Sequence, residues 1–314
     1  MGRFWSAFVA LIFSATLGLA GAAAGPAINQ FEVKDLQSAP GEFEFQSQNA
    51  FSTGQPRRRF VEAPPGTYAY DDNTVIRQRE ALEIQMGITD YFRIRLGIEF
   101  EQERLDEPGL FADRNSYGDL QLDELAIEGV FVFIKPKDNG VGLGLLVEYG
   151  TPISGGPESQ SEVYVGPIIE AHAGAWSLIA NLAAVRHMGG DAEPGNFDYV
   201  RDDKWDFSYF LQGQYEFSKS WALALEAYGT IDRIGNTGAR SEEAELFGDT
   251  DQHRAGPVIY FTFNPDRSGG NRAHASKLDD EEKEVEVSIG AGALFGLNEA
   301  TPDTTYKLSV EVEF

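Results

Sequence analysis

The feature that most constrains this chain is an alternation of apolar and polar residues with a period of two. The last segment shows it most clearly, because polar residues separate Tyr306, Leu308, Val310, Val312 and Phe314. A strand with this pattern has one apolar face and one polar face. No useful length of the chain follows the 3.6-residue period of a helix. The sequence therefore predicts an all-β protein.

Similar segments recur along the chain, and we count about 12 of them, each roughly 10–15 residues long. Soluble sandwich strands average about 5–6 residues, whereas a tilted strand that crosses a bilayer needs about 9–11. The prediction is therefore a single antiparallel transmembrane β-barrel of about 12 strands, within a range of about 10–14. The segments lie near 42–51, 74–88, 92–103, 118–135, 140–150, 161–173, 176–187, 204–217, 221–233, 252–263, 283–297 and 303–314.

The N-terminus is typical of an export signal. Arg3 precedes an apolar stretch over residues 8–20, and small residues follow, with cleavage expected after Ala22 or Ala24. The alternative, a membrane anchor, would need about 20 apolar residues. The predicted organisation is a signal peptide at 1–24, an N-terminal periplasmic segment at 25–40 and an outer-membrane barrel at 41–314.

Composition excludes several classes of function. The chain has 25 Lys+Arg against 50 Asp+Glu, a formal charge of −25, which argues against nucleic acid as a partner. It has no cysteine, so disulfides, thiolate catalysis and Cys-ligated zinc are absent. The one close His/Ser pair, His274 and Ser276, lies in an irregular segment that gives a nucleophile little rigid support. We therefore predict no enzyme activity and no catalytic, cofactor-binding or metal residues.

Turn parity fixes part of the register, because directly opposed residues must face the same side of the sheet. Thr89-Asp90-Tyr91 fits a three-residue turn, which places Arg79 opposite Glu101 and Arg77 opposite Glu103. Gly174-Ala175 fits a two-residue turn. Most long connections fall on the other side of the meander, as in outer-membrane barrels. Residues 264–282 break this rule, so either one strand is miscounted or this is a periplasmic loop.

In such a barrel the apolar set faces lipid and the polar set faces the lumen. Two interpretations of the inward charges stand: a packed ladder that fills the lumen, and a charged constriction that selects permeants. Surplus carboxylates predict a preference for cations in an open pore. The lumen-facing candidates are Arg77, Arg79, Glu83, Arg93, Arg95, Glu99, Glu101, Glu124, Glu128, Glu148, Glu170, Glu216, Glu226 and Glu286. Inward bulk favours plugging and inward glycine favours space, and the sequence contains both: Phe210, Tyr164, Tyr228, Ile134 and Leu146 against Gly142, Gly144, Gly290 and Gly292.

The terminal alternation of Tyr306, Leu308, Val310, Val312 and Phe314 resembles the ending of Gram-negative outer-membrane proteins, which the barrel insertion machinery reads. A narrower resemblance rests on three short motifs, namely residues 87–92 (Gly-Ile-Thr-Asp-Tyr-Phe), Tyr117-Gly118-Asp119-Leu120, and Phe295-Gly296-Leu297 with Pro302-Asp303. These resemble the outer-membrane transporter family named after the meta-pathway of phenol degradation. The chain departs from that family at 128–131, where Glu-Gly-Val-Phe replaces a basic-aromatic continuation. The resemblance implies a pore or transport role.

The leading hypothesis is therefore a channel or transporter for small molecules in the outer membrane of a Gram-negative bacterium. The alternatives are a closed barrel with a structural or surface role through its long loops, and a lipid-modifying enzyme. Expected partners are outer-membrane lipid, lipopolysaccharide, the barrel insertion machinery and a small-molecule permeant. Arg57-Arg58-Arg59 could contact lipopolysaccharide phosphates or pair with acidic loops.

Overall fold

The computed structural model describes residues 31–56, 59–62, 68–71, 74–106, 120–153, 160–188, 203–238, 246, 251–265 and 285–314. The predicted signal peptide, Arg57, Arg58, His274 and Ser276 lie outside these residues. The described part of the chain is all-β apart from one short 3-10 turn, Ile234–Asn236. No helix within it is both long and apolar enough to cross a membrane.

Twelve long strands form a closed antiparallel barrel. They range from 10 residues in the last strand to 16 in the second, lengths that suit a tilted crossing of a bilayer. The barrel strands are β1 Phe43–Pro56, β4 Thr74–Thr89, β5 Phe92–Leu105, β6 Gln121–Ile134, β7 Asn139–Pro152, β8 Ser161–Ala173, β9 Trp176–Met188, β10 Lys204–Ser218, β11 Trp221–Ile231, β12 Gln252–Phe263, β13 Glu286–Gly296 and β14 Thr304–Glu313. Between β1 and β4, β2 Arg59–Glu62 and β3 Tyr68–Asp71 form a separate hairpin.

Each barrel strand pairs with its neighbours in sequence, and β1 closes the ring by pairing with both β14 and β4. The predicted fold class and the twelve strands are confirmed. Since β12 and β13 are adjacent antiparallel strands, no strand was miscounted around 264–282. β12 ends and β13 begins at the end of the barrel that holds the tight turns, here called the tight-turn end. Residues 266–284 lie outside the described part of the chain.

The register of the β4–β5 hairpin is as predicted, although its turn differs. Arg79 lies opposite Glu101 and Arg77 opposite Glu103. The turn contains two residues rather than three, because Thr89 pairs with Phe92 and an irregularity at Ile88 restores the predicted register. An extra residue in one strand has this effect without disturbing the rest of the ladder. The two-residue turn at 174–175 is confirmed by the pairing of Ala173 with Trp176.

The outer surface of the barrel is apolar. Large side chains that would be buried in a soluble protein are open here, including Leu96 at 59%, Phe133 at 60% and Leu225 at 64% exposure. Aromatic pairs lie near the tight-turn end, with ring centroids 4.7 Å apart for Trp176 and Tyr215. An outward apolar band flanked by aromatic residues is the pattern of a membrane-spanning barrel.

Candidate functional site: the barrel interior

The interior of the barrel holds the charged side chains of the strands. Among the predicted lumen residues, those buried inside are Arg77, Glu83, Arg93, Arg95, Glu99, Glu124, Glu128, Glu148, Glu170 and Glu226, while Arg79 and Glu101 are half-buried. Alternate residues of a strand point to opposite faces, so the apolar outside and the charged inside have one cause. The interior is therefore polar and tightly enclosed.

Three residues that were predicted to face the lumen are not buried in it. Glu216 and Glu286 lie on the inward side of their strands at the tight-turn end, but their side chains are exposed there. Ile134, expected inside, is 54% exposed. The cause is an irregularity in the β6–β7 register between Val132 and Ile134, which breaks the alternation before the strand ends.

A charge ladder connects β4 and β5, as one of the two sequence interpretations requires. Arg79 Nε lies 2.5 Å from Glu101 Oε2, and Arg77 Nε lies 3.1 Å from Glu101 Oε1. Arg77 also reaches Glu103 at 3.2 Å. Residues directly opposite in an antiparallel pair are close enough for such contacts. The ladder holds this wall together and neutralises its arginines.

The N-terminal segment, defined here as residues 31–38, lies inside the barrel. This corrects the predicted periplasmic location of residues 25–40 for the part that is described. Phe31, Lys34 and Leu36 are 6%, 3% and 1% exposed. The segment enters at the tight-turn end, where the Ser38 hydroxyl donates to the Thr89 carbonyl at 2.6 Å. The physical reason is charge complementarity, because the acidic side chains of the segment lie against arginines of the lumen and its lysine lies against a glutamate.

Ion pairs hold the charged side chains of the segment. Arg95 contacts the Glu32 carboxylate, and it also lies 2.8 Å from Glu83. Lys34 Nζ lies 3.0 Å from Glu128 and contacts Glu32. Burial alone would raise the pKa of Glu32, but Arg95 and Lys34 lower it well below its usual value. Burial and Arg95 would lower the pKa of Lys34, but Glu128, Glu32 and Glu83 raise it above its usual value. Both side chains therefore stay charged inside the barrel.

Other lumen side chains bind the backbone of the segment. The Lys34 N–H donates to Asn181 Oδ1 at 2.7 Å, and Asn181 Nδ2 donates to the Lys34 carbonyl at 2.8 Å. The Leu36 N–H donates to Glu170 at 2.7 Å. Arg93 donates to the carbonyls of Asp35 at 2.9 Å and Gln37 at 2.7 Å. These contacts satisfy backbone groups that would otherwise be buried without partners.

Apolar contacts complete the seat of the segment. Leu36 packs with Val130, Val132, Leu146 and Ile168. Two glycines of β7 make room for it, since a Cβ at Gly142 would lie 2.8 Å from a Leu36 methyl and one at Gly144 would overlap the other methyl. Phe31 packs edge to face with Tyr228, with ring centroids 5.5 Å apart. The segment thus fills the space beside Gly142 and Gly144, whereas residues of the wall fill the space beside Gly290 and Gly292.

Beside Phe31 lies a compact polar network. Glu226, fully buried, accepts hydrogen bonds from Lys307 at 2.8 Å, Tyr228 at 2.6 Å and Gln212 at 3.0 Å, and it also contacts Tyr260. Each carboxylate oxygen therefore has two partners. A buried charge with this many partners is stable in place, and it stiffens the wall behind the segment.

A second polar cluster lies toward the end of the barrel with the long loops. Lys204 Nζ lies 2.9 Å from Asp206 and 2.6 Å from Asp232. His187 Nε2 lies 2.8 Å from Asp206, and the backbone N–H of Arg233 donates to the same carboxylate at 2.8 Å. Residues 232 and 233 follow β11, so the start of the β11–β12 connection is tied to the barrel wall. Within the described residues, no set of three His, Asp or Glu side chains is placed to hold a metal ion.

Sequence reasoning missed the N-terminal segment and its receptor side chain Asn181. The signal was weak but present. Phe31 and Val33 alternate with Glu32 and Lys34, the same pattern as the strands in a stretch too short to span a bilayer. The two arginines of β5 inside an acidic chain also indicated that something negative faces them.

Neither a protein-family model nor a curated protein matches the sequence. The fold is similar to that of an outer membrane channel from Pseudomonas putida F1, at 13% identity and a TM-score of 0.55, over 90% of this chain and 99% of that one. It is also similar to the NanC porin, at 6% identity and a TM-score of 0.45, over 86% of this chain and 98% of that one. A third similar structure is the transport unit of the autotransporter AIDA-I from Escherichia coli, at 11% identity and a TM-score of 0.47, over 91% of this chain and 94% of that one.

At these identities the comparisons show the fold alone. A closed antiparallel barrel with an apolar outer surface and a polar interior belongs to the class of outer-membrane β-barrels. That class includes channels and porins. The resemblance to the transporter family of phenol degradation stays a prediction, as does recognition of the Phe314 ending by the insertion machinery.

Proposed function

We propose that this protein is an outer-membrane channel or transporter for small molecules, with an acid-lined lumen that prefers cations. The observation that supports the proposal is that a segment of the chain itself occupies the lumen. Residues 31–38 fill the interior together with inward side chains of the wall such as Phe210 and Tyr228. Withdrawal of that segment would free the interior space that it occupies, which both charged and apolar wall side chains line.

The size of the barrel agrees with this proposal. Barrels of about 8 strands are filled by their own side chains, whereas those of about 16–18 leave an aqueous channel. Twelve strands lie between these limits, and here the extra room holds one polypeptide. Two gaps beside the segment, one lined by Lys34 and Leu146 and the other by Phe31 and Arg254, each have roughly the room for one water molecule. Passage therefore requires that the segment move.

The preference for cations follows from carboxylates on the wall formed by β5, β6 and β7. Glu99 lies directly opposite Glu124, and Glu128 lies directly opposite Glu148. All four are buried. One Glu99 oxygen accepts no hydrogen bond from the residues that the structure describes. Ionised carboxylates on adjacent strands would lower the energy of a cation in the lumen and raise that of an anion.

Selectivity gives the test. A full-length variant with Lys34→Pro and Leu36→Pro, here called the proline variant, lacks the two backbone N–H groups that donate to Asn181 and Glu170. We expect it to conduct with a cation-selective reversal potential in a planar bilayer under a salt gradient. Adding Glu99→Gln, Glu124→Gln and Glu148→Gln should move that potential toward zero by roughly half, because the wall loses three of its ionisable carboxyl groups.

The matched control is Glu299→Gln, which removes an exposed carboxylate from the connection between β13 and β14. It should leave the reversal potential unchanged, since solvent screens a charge outside the lumen. Anion selectivity in the proline variant would contradict the assignment of the acidic wall. So would an equal shift from Glu299→Gln and from the triple substitution.

A second candidate is a closed barrel with a structural or surface role. The observation that favours it is the same filled interior, together with the buried network around Glu226 and the cluster around Asp206. A barrel of this kind would keep the segment permanently in place. It would stay silent in the bilayer even as the proline variant, while running as a folded barrel on a gel.

A further inference from the structure

We infer that the lumen is a binding site for an extended peptide, which the chain's own N-terminal segment occupies in this structure. The ligand class is a short peptide in which a basic, an acidic and an aliphatic residue follow one another. The inference names a ligand class for the lumen of the proposed channel, and its biological role rests on that proposed function. Binding itself can be measured independently of conductance.

The first argument is that the lumen contacts the main chain of the segment, which every peptide shares. Asn181 binds both the N–H and the carbonyl of one residue, Lys34, much as a neighbouring strand would. Glu170 accepts the N–H two residues further on, at Leu36. Backbone hydrogen bonds of this kind give affinity in strand-type peptide recognition, and pockets for alternate side chains give specificity.

The second argument is that Arg93 contacts the same backbone from the other side. Its guanidinium donates to the carbonyls of Asp35 and Gln37, and it also lies 2.6 Å from the Asp35 carboxylate. The planar fork of an arginine suits such multiple acceptors. Four consecutive residues, 34 to 37, therefore have a backbone group bound by a lumen side chain. Contact with the main chain at successive residues is the mark of a peptide site.

The third argument is that the side chains of Lys34, Asp35 and Leu36 each have their own receptor. The basic position lies between Glu128 at 3.0 Å and Glu83 at 3.7 Å. The acidic position faces Arg93, and the aliphatic position lies over Gly142 and Gly144. These slots alternate in sign and polarity along the lumen. A simple salt or an uncharged sugar would satisfy only part of them.

The fourth argument concerns what remains when the segment leaves. Asn181, Glu170 and Arg93 are 1%, 2% and 3% exposed with the segment in place. Without it they would lose five hydrogen bonds to backbone atoms. Groups arranged for backbone contacts bind another peptide better than a ligand that lacks amides, because unsatisfied buried polar groups are costly.

The test uses the full-length proline variant and a fluorescein-labelled peptide with the sequence of residues 31–38, Phe-Glu-Val-Lys-Asp-Leu-Gln-Ser. We expect saturable binding by fluorescence anisotropy in detergent. A peptide methylated on the nitrogens that correspond to Lys34 and Leu36 should bind about tenfold more weakly or worse, since both hydrogen bonds are lost. A peptide with Lys and Asp exchanged should also lose affinity.

Changes in the barrel complete the design. Asn181→Leu removes both contacts to the backbone and should weaken binding by about tenfold. Ser208→Ala is the matched control, because its hydroxyl lies in the lumen but bonds Thr230 at 3.2 Å. If the proline variant does not fold, as judged by heat-shifted gel mobility, the full-length Lys34→Ala, Leu36→Ala variant serves instead as the receptor.

The outcomes separate this inference from the channel. Absence of binding, or equal binding of the methylated peptide, overturns the peptide site. If that occurs while the proline variant conducts, the channel proposal stands alone. If the peptide binds as expected and no variant conducts, the site stands and the channel proposal falls.

Discussion

Replacement of Arg95 by Met is expected to destabilise the barrel more than any other single change considered. The Arg95 side chain is 4% exposed and contacts Glu32 and Glu83. It also donates to Gln85 at 2.8 Å and to Gln46 at 3.2 Å. Methionine would fill the volume but leave Glu32 and Glu83 with Lys34 as their one remaining cation among the described residues. Breaking a buried pair in this way costs about 3–5 kcal/mol.

The measurement is the denaturant midpoint for loss of the folded band, compared with that of Arg186→Met. Arg186 pairs with Asp203 at 2.6 Å, but both side chains are at least two-fifths exposed. Removing an exposed pair should cost no more than about 1 kcal/mol. Equal midpoints for the two variants would show that the charges around Arg95 do not hold the interior together.

A thiol at position 36 is expected to react on the order of 100-fold more slowly than a thiol on the surface, because reagent reaches it only when the segment leaves its seat. Leu36 is 1% exposed, and its neighbours come from β6, β7 and β8. The chain contains no cysteine, so Leu36→Cys reports on one site. The reaction of an impermeant maleimide with the full-length folded protein gives the rate.

The control for this measurement is Glu299→Cys, which places a thiol on an exposed connection. Adding Lys34→Pro to Leu36→Cys removes a hydrogen bond to Asn181 and should speed the reaction. A rate for Leu36→Cys equal to that of Glu299→Cys would mean that the segment does not occupy the lumen in solution.

Most of the barrel could be predicted from the sequence because its physics is local. Alternation decides which face of each strand meets lipid, and one turn fixes the register of a whole hairpin. The pairing of Arg79 with Glu101 follows from the shared parity of the apolar residues on both sides of residues 89–91, although the turn itself is one residue shorter than predicted. The error at Ile134 has a local cause too, since the register irregularity after Val132 changes the face of the residues that follow it.

The occupied lumen could not be predicted in the same way. The contacts of the segment are non-local, with Lys34 and Asn181 separated by 147 residues and Glu32 and Arg95 by 63. No periodicity links such positions. A count of the inward-facing charges on the strands predicted a surplus of carboxylates. That count did not include Lys34, which lies against Glu128 and Glu83. The segment changes the electrostatics of the interior as well as its volume.

The central claim is that the barrel is a passage that the N-terminal segment blocks. Single-channel conductance of the full-length wild type and the proline variant, recorded side by side in a planar bilayer, tests it most directly. We expect small or rare steps from the wild type and a conductance higher by roughly threefold or more from the proline variant, because the path widens. The Lys34→Ala, Leu36→Ala variant keeps both backbone N–H groups and should lie between them. Equal conductance of all three folded proteins, or silence from all three, would contradict the account.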